Sequence, residues 1–305
     1  MDLLQLRHFQ AAARREHVTR AAAELAVAQP SLSRTIAQLE AELGVPLFDR
    51  HGRQIRLNPF GRAFLGAVDR ALAELEAGRR EVADLAGQAH GEVVLAATTL
   101  RWMPELVRAF RAEHPGVRFR LVQSATAAMR QQLERGEVDV CLTALPLDGT
   151  GLAWVPLLSE EILLAVPHGH RLAGRERIDL AEVADEPFIS LKRGYDLRDL
   201  TDQLCQSAGF VPQAVCELDE PTAIRGLVQA GLGVAFLPAA SWRVSGSADP
   251  VPLHIRTPIC QRTLGLAWRT DRYQSVAARQ ARDFLIASFA RLAGPSAPRA
   301  SQARK

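Results

Sequence analysis

Residues Val18–Arg34, VTRAAAELAVAQPSLSR, decide the fold of the N-terminal part of this chain. An alanine-rich helical turn, a break near Val27 and a second helix that opens at Gln29 predict two short helices that pack together. Pro30 suits the first turn of the second helix, because the missing N–H of a proline has no helical partner there. This pattern is typical of a helix-turn-helix, and double-stranded DNA is therefore the first partner to consider.

The second of these helices is predicted to divide into an apolar stripe and a polar face. The stripe consists of Leu32, Ile36, Leu39 and Leu43, and Gly44 ends the helix. On the polar face, glutamine can pair with adenine and arginine with guanine in the major groove. The candidate DNA-binding residues are Thr19, an N-cap or first-turn residue of the preceding helix, and Gln29, Pro30, Ser31, Ser33 and Arg34. The alternative is a solvated polar face on an ordinary three-helix bundle.

A basic hairpin is predicted directly after this helix. Leu47–Arg50 and Gln54–Leu57 indicate two short strands about a turn at His51 and Gly52. Three arginines project from the hairpin, and they are Arg50, Arg53 and Arg56. Such a wing contacts the phosphate backbone or the minor groove. Residues 1–60 carry only eight Arg against six acidic residues. One copy is therefore expected to bind DNA weakly, which favours a dimer.

A long helix is predicted to follow, with Asn58 as its N-cap and Pro59 in its first turn. Its apolar residues recur by four and three with one larger gap at Arg79, a spacing typical of a helix that pairs with another helix. The candidate dimerisation residues are Leu65, Val68, Leu72, Leu75 and Val82. The alternative is that the helix packs on its own chain.

The N-terminal string LRHFQAAARREHVTRAAAELAVAQPSLSRTIAQLEAELGVPLFDRHGRQIRLNPFGRAFL, about 60 residues, resembles the LysR-type transcriptional regulators. Within that family, HVTRAA, VAQPSLSR and LFDRHGRQIRLNPFG are most similar to members from bacilli. The resemblance implies a winged helix-turn-helix over 1–58, a dimerising linker helix over 59–87 and an effector-binding domain over 91–293. It also implies a homodimer or homotetramer that acts on promoter DNA and RNA polymerase. By position, Gln29, Pro30, Ser33 and Arg34 would face the DNA, with the three arginines in the wing.

The remaining two-thirds of the chain alternates apolar strands with helical stretches. The first three strands are predicted at Val93–Ala97, Val117–Val122 and Val138–Thr143, and similar units recur from Ile162 onwards. This alternation predicts an α/β fold with a parallel sheet, crossover helices and a cleft between two lobes. The family resemblance implies a shape like that of periplasmic binding proteins, with lobe one at 91–161 and 266–292 and lobe two at 162–265. The chain would cross between lobes at Pro146–Glu161 and Thr263–Trp268, and residues 294–305 are predicted to be a disordered tail.

Polar side chains near the ends of these strands and the starts of helices are candidates for binding a small effector. Hydroxyls and free backbone N–H groups there could receive an anionic group, so a carboxylate-bearing effector is expected. The candidates are Thr98, Thr99, Ser124, Thr143, Ser190, Lys192, Tyr195, Glu220 and Thr222. The alternative is that each of them merely caps a helix.

Composition and termini narrow the class of protein. The 305 residues, 48% of them hydrophobic, are enough for two or three domains, and the net charge of +3 is compatible with DNA without being diagnostic. The four cysteines lack CxxC spacing, which favours reduced thiols. The N-terminus lacks the order of a signal peptide, and no apolar run approaches the roughly 20 residues of a membrane span. A cytoplasmic protein without membrane contact is expected.

The sequence allows four other interpretations. Peroxide-sensing members of the family use a cysteine pair in the segment that here runs Gly194–Gly209. In this chain the position expected for the reactive thiol lies near Asp196 and holds no cysteine, so a redox sensor is disfavoured. His168 and His170 form an H-x-H, which Pro167 and Gly169 place in a turn, so no metal site is expected. An enzyme is disfavoured because P-loop, GxSxG and dinucleotide motifs are absent, and no cofactor is expected. An exported binding protein would not need residues 1–87.

Overall fold

A computed structural model of the chain describes residues 1–51, 54–87, 91–147, 149–242 and 249–293, without the side chains of Arg50, His51, Gln54 and Ala293. The predicted wing residue Arg53 and the tail from Gly294 lie outside the described residues. Backbone contacts divide the chain into two units, the first being Met1–Arg80 with Glu134–Gly136 and the second Glu81–Leu133 with Glu137–Lys305.

The first unit is a winged helix-turn-helix. Its elements are α1 (Leu3–Arg15), α2 (Val18–Glu24), α3 (Gln29–Leu43), β1 (Phe48–His51), β2 (Gln54–Leu57) and most of α4 (Pro59–Leu85). Asp2 and Gln5 form a capping box at the start of α1, and Gly44 ends α3 in the left-handed region at φ 73°. The Asn58 side chain accepts the Gly61 N–H at 2.8 Å and so caps α4. These local signals set the ends of the helices where the sequence predicts them.

The core of this unit lies between the three short helices, the hairpin and the start of α4. Phe9 is fully buried, and its ring centroid lies 5.6 Å from that of Phe48 and 5.2 Å from that of Phe64. His17 is the N-cap of α2, so Thr19 lies in the first turn, the second of its two predicted positions. One expectation fails here. Leu43 is 37% exposed because it sits in the last turn of α3, beyond the reach of the core.

The second unit is built from helices packed on an eight-stranded mixed sheet and a separate two-stranded parallel sheet. Its elements are β3 (Glu92–Ala97), α5 (Met103–Glu113), β4 (Arg118–Gln123), α6 (Thr126–Glu134), β5 (Val140–Thr143), β6 (Leu152–Val166), β7 (Arg177–Asp179), β8 (Pro187–Leu191), α7 (Asp196–Ser207), β9 (Gln213–Leu218), α8 (Pro221–Gln229), β10 (Ala235–Pro238), β11 (Val251–Thr257), β12 (Gln261–Arg269) and α9 (Val276–Ala293). None of the helices in these described ranges, or in those of the first unit, combines the length and apolar composition of a membrane span.

The sheet is only partly parallel, which corrects the sequence prediction. The strand order is β4-β3-β5-β12-β6-β11-β7, with β10 also paired to β6. β3 is parallel to β4 and β5, whereas β12 is antiparallel to β5 and β6. Helices connect the first three strands, and such crossovers permit parallel pairing. β6 and β12 are reached without a crossover helix, and both run against their neighbours.

One strand belongs to both lobes. Leu152–Glu161 of β6 pairs with β12, whereas residues 162–165 pair with β10 and residues 164–166 with β11. The sequence predicted a strand only from Ile162 and a crossing over Pro146–Glu161, so the crossing is itself a strand for most of its length. We refer to β3, β4, β5 and β12 with α5, α6 and α9 as lobe one, and to β7–β11 with α7 and α8 as lobe two. Each lobe has its own buried core, around Leu95 and Phe289 in lobe one and around Phe188 and Phe236 in lobe two.

Candidate functional site

The start of α3 presents the polar residues expected to read DNA. Gln29, Pro30, Ser31 and Arg34 are exposed, and Ser33 is half-buried. The Gln29 side-chain amide donates to the Ser33 hydroxyl at 2.8 Å, which holds the amide over the first turn of the helix. An exposed row of amide, hydroxyl and guanidinium groups on one helix can donate to base edges and to phosphates.

The wing is a two-stranded antiparallel hairpin in which Arg56 lies opposite Asp49. The Arg56 side chain is exposed. The base of the hairpin is tied to the turn between α1 and α2, because Glu16 accepts the Ile55 N–H at its carbonyl, at 3.4 Å, and the Leu57 N–H at its carboxylate, at 3.1 Å. The wing is therefore held against the helix-turn-helix by main-chain donors.

The second unit contains a cavity of about 40 Å³ between its lobes. It lies past the carboxyl end of β3, where ligands of α/β sheets commonly bind. Residues from both lobes line it, and they are Thr98, Thr99, Arg101, Leu191, Asp196, Leu197, Pro221, Ile224, Leu237, Pro238, Ser241 and Arg262. The lining thus combines two guanidinium groups and several hydroxyls with an apolar wall.

Arg101 reaches from lobe one to lobe two beside this cavity. Its guanidinium donates to the Ser241 hydroxyl at 2.9 Å and to the Ala240 carbonyl. Arg225 donates to the Ser241 carbonyl at 2.5 Å and lies over the Trp242 ring, 4.9 Å from its centroid. The segment that receives Arg101 is therefore itself fastened within lobe two.

Asp196 joins the lobes on the other side of the cavity. It is 2% exposed, and its carboxylate accepts the Ala144 N–H from lobe one and the N–H of Leu197, both at 2.7 Å. Its own N–H donates to the Thr126 hydroxyl at 3.3 Å. Both carboxylate oxygens are thus occupied by main-chain donors, and this side chain is part of the framework of the site.

Arg262 reaches the cavity from the strands that the lobes share. Its guanidinium donates twice to Oε1 of Glu160 on the neighbouring strand, at 2.8 and 2.7 Å, and both side chains are buried. Oε2 of Glu160 is buried without a hydrogen-bond partner among the described residues. The pair holds the Arg262 guanidinium in place at the cavity, with its charge paired to the Glu160 carboxylate.

Two of the nine predicted effector residues, Thr98 and Thr99, line the cavity. The Ser124 hydroxyl accepts from Gln132 at 3.0 Å, and the Thr143 hydroxyl donates to the Leu145 carbonyl at 3.2 Å. The other five lie in lobe two outside this cavity. Ser190 lines a smaller neighbouring cavity. Lys192 donates to the Asp219 carboxylate at 2.7 Å, and the Tyr195 hydroxyl donates to the Asp219 backbone carbonyl at 3.0 Å. Glu220 and Thr222 are exposed at the start of α8.

The cavity also contains functional candidates that sequence reasoning missed. Arg101 stands two residues after Thr99 in the same loop, so a search for charges beside the predicted hydroxyls could have found it. Arg262 and Ser241 lack such a signal, because each reaches the cavity only through the pairing of distant segments.

The cysteines are free thiols, and three of the four are buried. Burial raises the pKa of Cys205 and of Cys260 to about 12 and holds that of Cys141 well above its ordinary value. The thiolate is the form that reacts with peroxides, and these groups remain thiols at neutral pH. The geometry therefore does not favour a cysteine switch.

The H-x-H pair lies in a turn after β6, where Nδ1 of His170 accepts the Leu172 N–H at 3.2 Å. Within the described ranges, no three His, Cys, Asp or Glu side chains are grouped so that they could hold a metal ion.

The sequence matches two family descriptions. Residues 3–62 match "Bacterial regulatory helix-turn-helix protein, lysR family", and residues 86–290 match "LysR substrate binding domain". The chain is 39% identical over 294 residues to the uncharacterized HTH-type transcriptional regulator YybE of Bacillus subtilis (strain 168). The alignment covers 95% of this chain and 99% of the relative. This relative comes from a bacillus, in agreement with the similarity to bacilli members that the N-terminal sequence indicates.

Solved structures give the same result. Full-length OxyR C199D from Pseudomonas aeruginosa is 27% identical, with a TM-score of 0.69 over 100% of this chain and 99% of that chain. The effector-binding domain of QuiR in complex with shikimate is 27% identical, with a TM-score of 0.59 over 66% of this chain and 98% of that chain. The matched families are DNA-binding transcriptional regulators with an effector-binding domain and are not enzymes. A winged helix-turn-helix and a two-lobed domain with a lined cavity are thus matched in turn along the sequence, and the chain belongs to the LysR family of bacterial transcriptional regulators.

Proposed function

We propose that this regulator senses a small metabolite with a carboxylate group, bound in the cavity between its lobes. The observation that carries the proposal is the lining itself, in which Arg101 and Arg262 stand with Thr98 and Thr99 around one enclosed space. Guanidinium groups bind carboxylates by two parallel hydrogen bonds, and hydroxyls can complete the coordination of the oxygens.

The opposite wall of the cavity defines the rest of the ligand. Ile224, Leu237 and Pro238 present apolar surface from lobe two. The effector is therefore a compact molecule with an anionic head and a body that carries apolar faces. The complex of QuiR with shikimate, a ring-shaped carboxylate, supports this class of ligand. A cavity of about 40 Å³ holds roughly three water molecules, so the lobes must shift apart to admit such a molecule.

For the DNA interface, we propose that the start of α3 reads the major groove and that the wing contacts the backbone. The proposed residues are Thr19, Gln29, Pro30, Ser31, Ser33 and Arg34, with Arg50, Arg53 and Arg56 in the wing. The proposed divisions are 1–58 for DNA binding, 59–87 for the linker helix and 91–293 for effector binding. A protein that acts on promoter DNA and RNA polymerase works beside the chromosome, and we therefore assign it to the cytoplasm.

For assembly, we propose a dimer through α4 and a tetramer of two dimers. Two dimers would hold two promoter sites and bend the DNA between them, and the effector would change that bend by shifting the relative populations of two lobe arrangements. Small differences in lobe geometry would then alter the access of RNA polymerase to the promoter.

Isothermal titration of the full-length protein tests the effector site. A panel of small carboxylates should include one that binds, and the matched neutral amide should not. Thr98→Val and Arg101→Gln should each weaken binding about tenfold to hundredfold, since a hydrogen bond to a charged group contributes roughly 1.5–3 kcal/mol. Arg111→Gln, at an exposed position on α5 outside the cavity, is the matched control and should bind as the wild type does. Binding of neutral or cationic ligands alone would contradict the proposal.

A further inference from the structure

The winged helix-turn-helix carries a second feature at the base of the wing. An open cavity of about 210 Å³ lies between the end of α1, the start of α2 and the base of the wing. Its lining consists of Arg15, Glu16, His17, Arg20, Ile55 and Arg56. We call it the wing-base cavity. Three guanidinium groups and one imidazole face a single carboxylate, so the cavity is cationic.

The floor of the wing-base cavity is fixed by the main chain. Glu16 adopts a left-handed conformation at φ 45°, unusual for a residue other than glycine, and this turns the chain sharply between α1 and α2. In that conformation its carbonyl and carboxylate both accept N–H groups of the second wing strand, as described above. The only carboxylate of the lining is therefore engaged by a main-chain donor, which partly offsets its charge.

The cations of the cavity differ in their partners. Arg15 pairs with Glu24 at 2.6 Å, and both side chains are about half exposed, so the pair is weak and exchangeable. The guanidinium groups of Arg20 and Arg56 have no hydrogen-bond or ion-pair partner among the residues that the structure describes. Nδ1 of His17 accepts the backbone N–H of Arg20 at 3.5 Å, so this nitrogen is engaged within the turn. The cavity thus offers the guanidinium groups of Arg20 and Arg56 to an anion.

We infer that the wing-base cavity receives one phosphodiester of the DNA backbone, held between Arg20 of α2 and Arg56 of the wing. A phosphate has the charge and the oxygen geometry that guanidinium groups bind best in proteins. Arg20 and Arg56 lie on two different elements, so one phosphate between them would fix the orientation of the wing relative to the helix-turn-helix. Such a contact positions the protein on DNA and carries no sequence information.

This inference rests on the proposed DNA interface, and its test separates the two. Binding of the full-length protein to a target promoter duplex and to an unrelated duplex is measured between about 50 and 250 mM salt. Arg20→Gln and Arg56→Gln should weaken binding to both duplexes by the same factor and reduce the slope of log K against log salt by about one. The double variant, Arg20→Gln with Arg56→Gln, should weaken binding by a smaller factor than the two single-variant factors multiplied together, because both side chains bind one phosphate.

Arg7→Gln is the matched control, since it removes the same charge from an exposed position of α1 outside the cavity. Cavity variants that behave like Arg7→Gln, or that weaken only the target duplex, overturn the inference. If Arg34→Ala weakens binding to the target duplex while the cavity variants bind as the wild type does, the proposal for the recognition helix stands and the phosphate site is overturned. A wild type without salt-dependent binding to the target would overturn both.

A scan of the DNA supplies a second readout. Replacing single phosphates of the target by uncharged methylphosphonates should reveal one position in each half-site that weakens the wild type and leaves Arg20→Gln with Arg56→Gln unaffected. If every methylphosphonate weakens the double variant as much as the wild type, the cavity does not hold a phosphate. Far-UV circular dichroism and thermal melting should be unchanged in all variants, because the substituted side chains are exposed.

Discussion

Single residues of the effector cavity differ in how firmly they are held. Asp196 is bound at both oxygens by main-chain N–H groups, so an incoming ligand cannot easily recruit it. Arg101 binds a hydroxyl and a carbonyl, which are neutral acceptors. A carboxylate binds a guanidinium about twice as strongly as such neutral groups do, and it would compete for Arg101. Arg101 is therefore the residue whose partners are expected to change when the effector arrives.

The thiols allow a direct test of the peroxide-sensing alternative. Since the pKa of Cys205 and Cys260 is raised to about 12, both remain protonated from pH 7 to 10, and alkylation by iodoacetamide should be slow and should still be rising at pH 10. The half-buried Cys216 should react faster than the three buried thiols. Mass spectrometry of each cysteine peptide gives the rates, and protein unfolded in urea is the control in which all four react quickly. Rapid labelling of Cys205 at pH 7, or loss of DNA binding after peroxide treatment, would restore the redox interpretation.

Among the elements, α4 divides its apolar stripe between two uses. Leu65 and Val68 are buried in the core of the winged unit, and Leu72 packs against that core. Leu75 and Val82 are 58% and 66% exposed on the described chain. The predicted dimerisation stripe is therefore too long at its start, where the helix packs on its own chain. The half that follows Leu72 remains available to a second copy.

Substitution on that half should change the oligomeric state. Leu75→Arg with Val82→Arg places two charges on the exposed stripe, and the molar mass by sedimentation should fall towards that of the monomer because like charges would face each other across the dimer. Glu81→Arg places the same side chain at an exposed position on another side of the helix and should leave the mass unchanged. Thermal unfolding should change little in either variant, and an unaltered mass for the double variant would remove α4 from the proposed interface.

Elements with local signals were predictable, and elements defined by distant pairing were not. α3 begins at Gln29 and ends before Gly44 as predicted, because proline and glycine act on their own neighbours. The first ten residues of β6 escaped prediction because Pro156 and the polar residues Ser159–Glu161 interrupt the apolar run. Thr98 and Thr99 follow the predicted strand β3 directly, and both line the cavity at that edge of the sheet. Arg262 could not be assigned, since its position depends on a partner strand about a hundred residues earlier.

At the scale of the whole molecule, the proposed signal passes from the lobes to the DNA as a difference in bending. Hydroxyl-radical footprints of the promoter, with and without a saturating carboxylate ligand, should differ in the periodic protection of the DNA between the two sites. Arg101→Gln should give one footprint whether or not the ligand is present, while its binding without ligand stays comparable to that of the wild type. Identical wild-type footprints in both conditions would contradict the bending mechanism.

The strand β6, which pairs with β12 over its first part and with β10 over its last, also limits how the gene can change. Side chains alternate between the faces of a sheet. One codon inserted within Leu152–Val166 would therefore turn every residue on one side of the insertion, and so the part of the strand that pairs within one lobe, to the wrong face. The turns on either side of β6 carry no such register. Length differences among descendants of this gene are therefore expected to accumulate in those turns and to be purged from the strand itself.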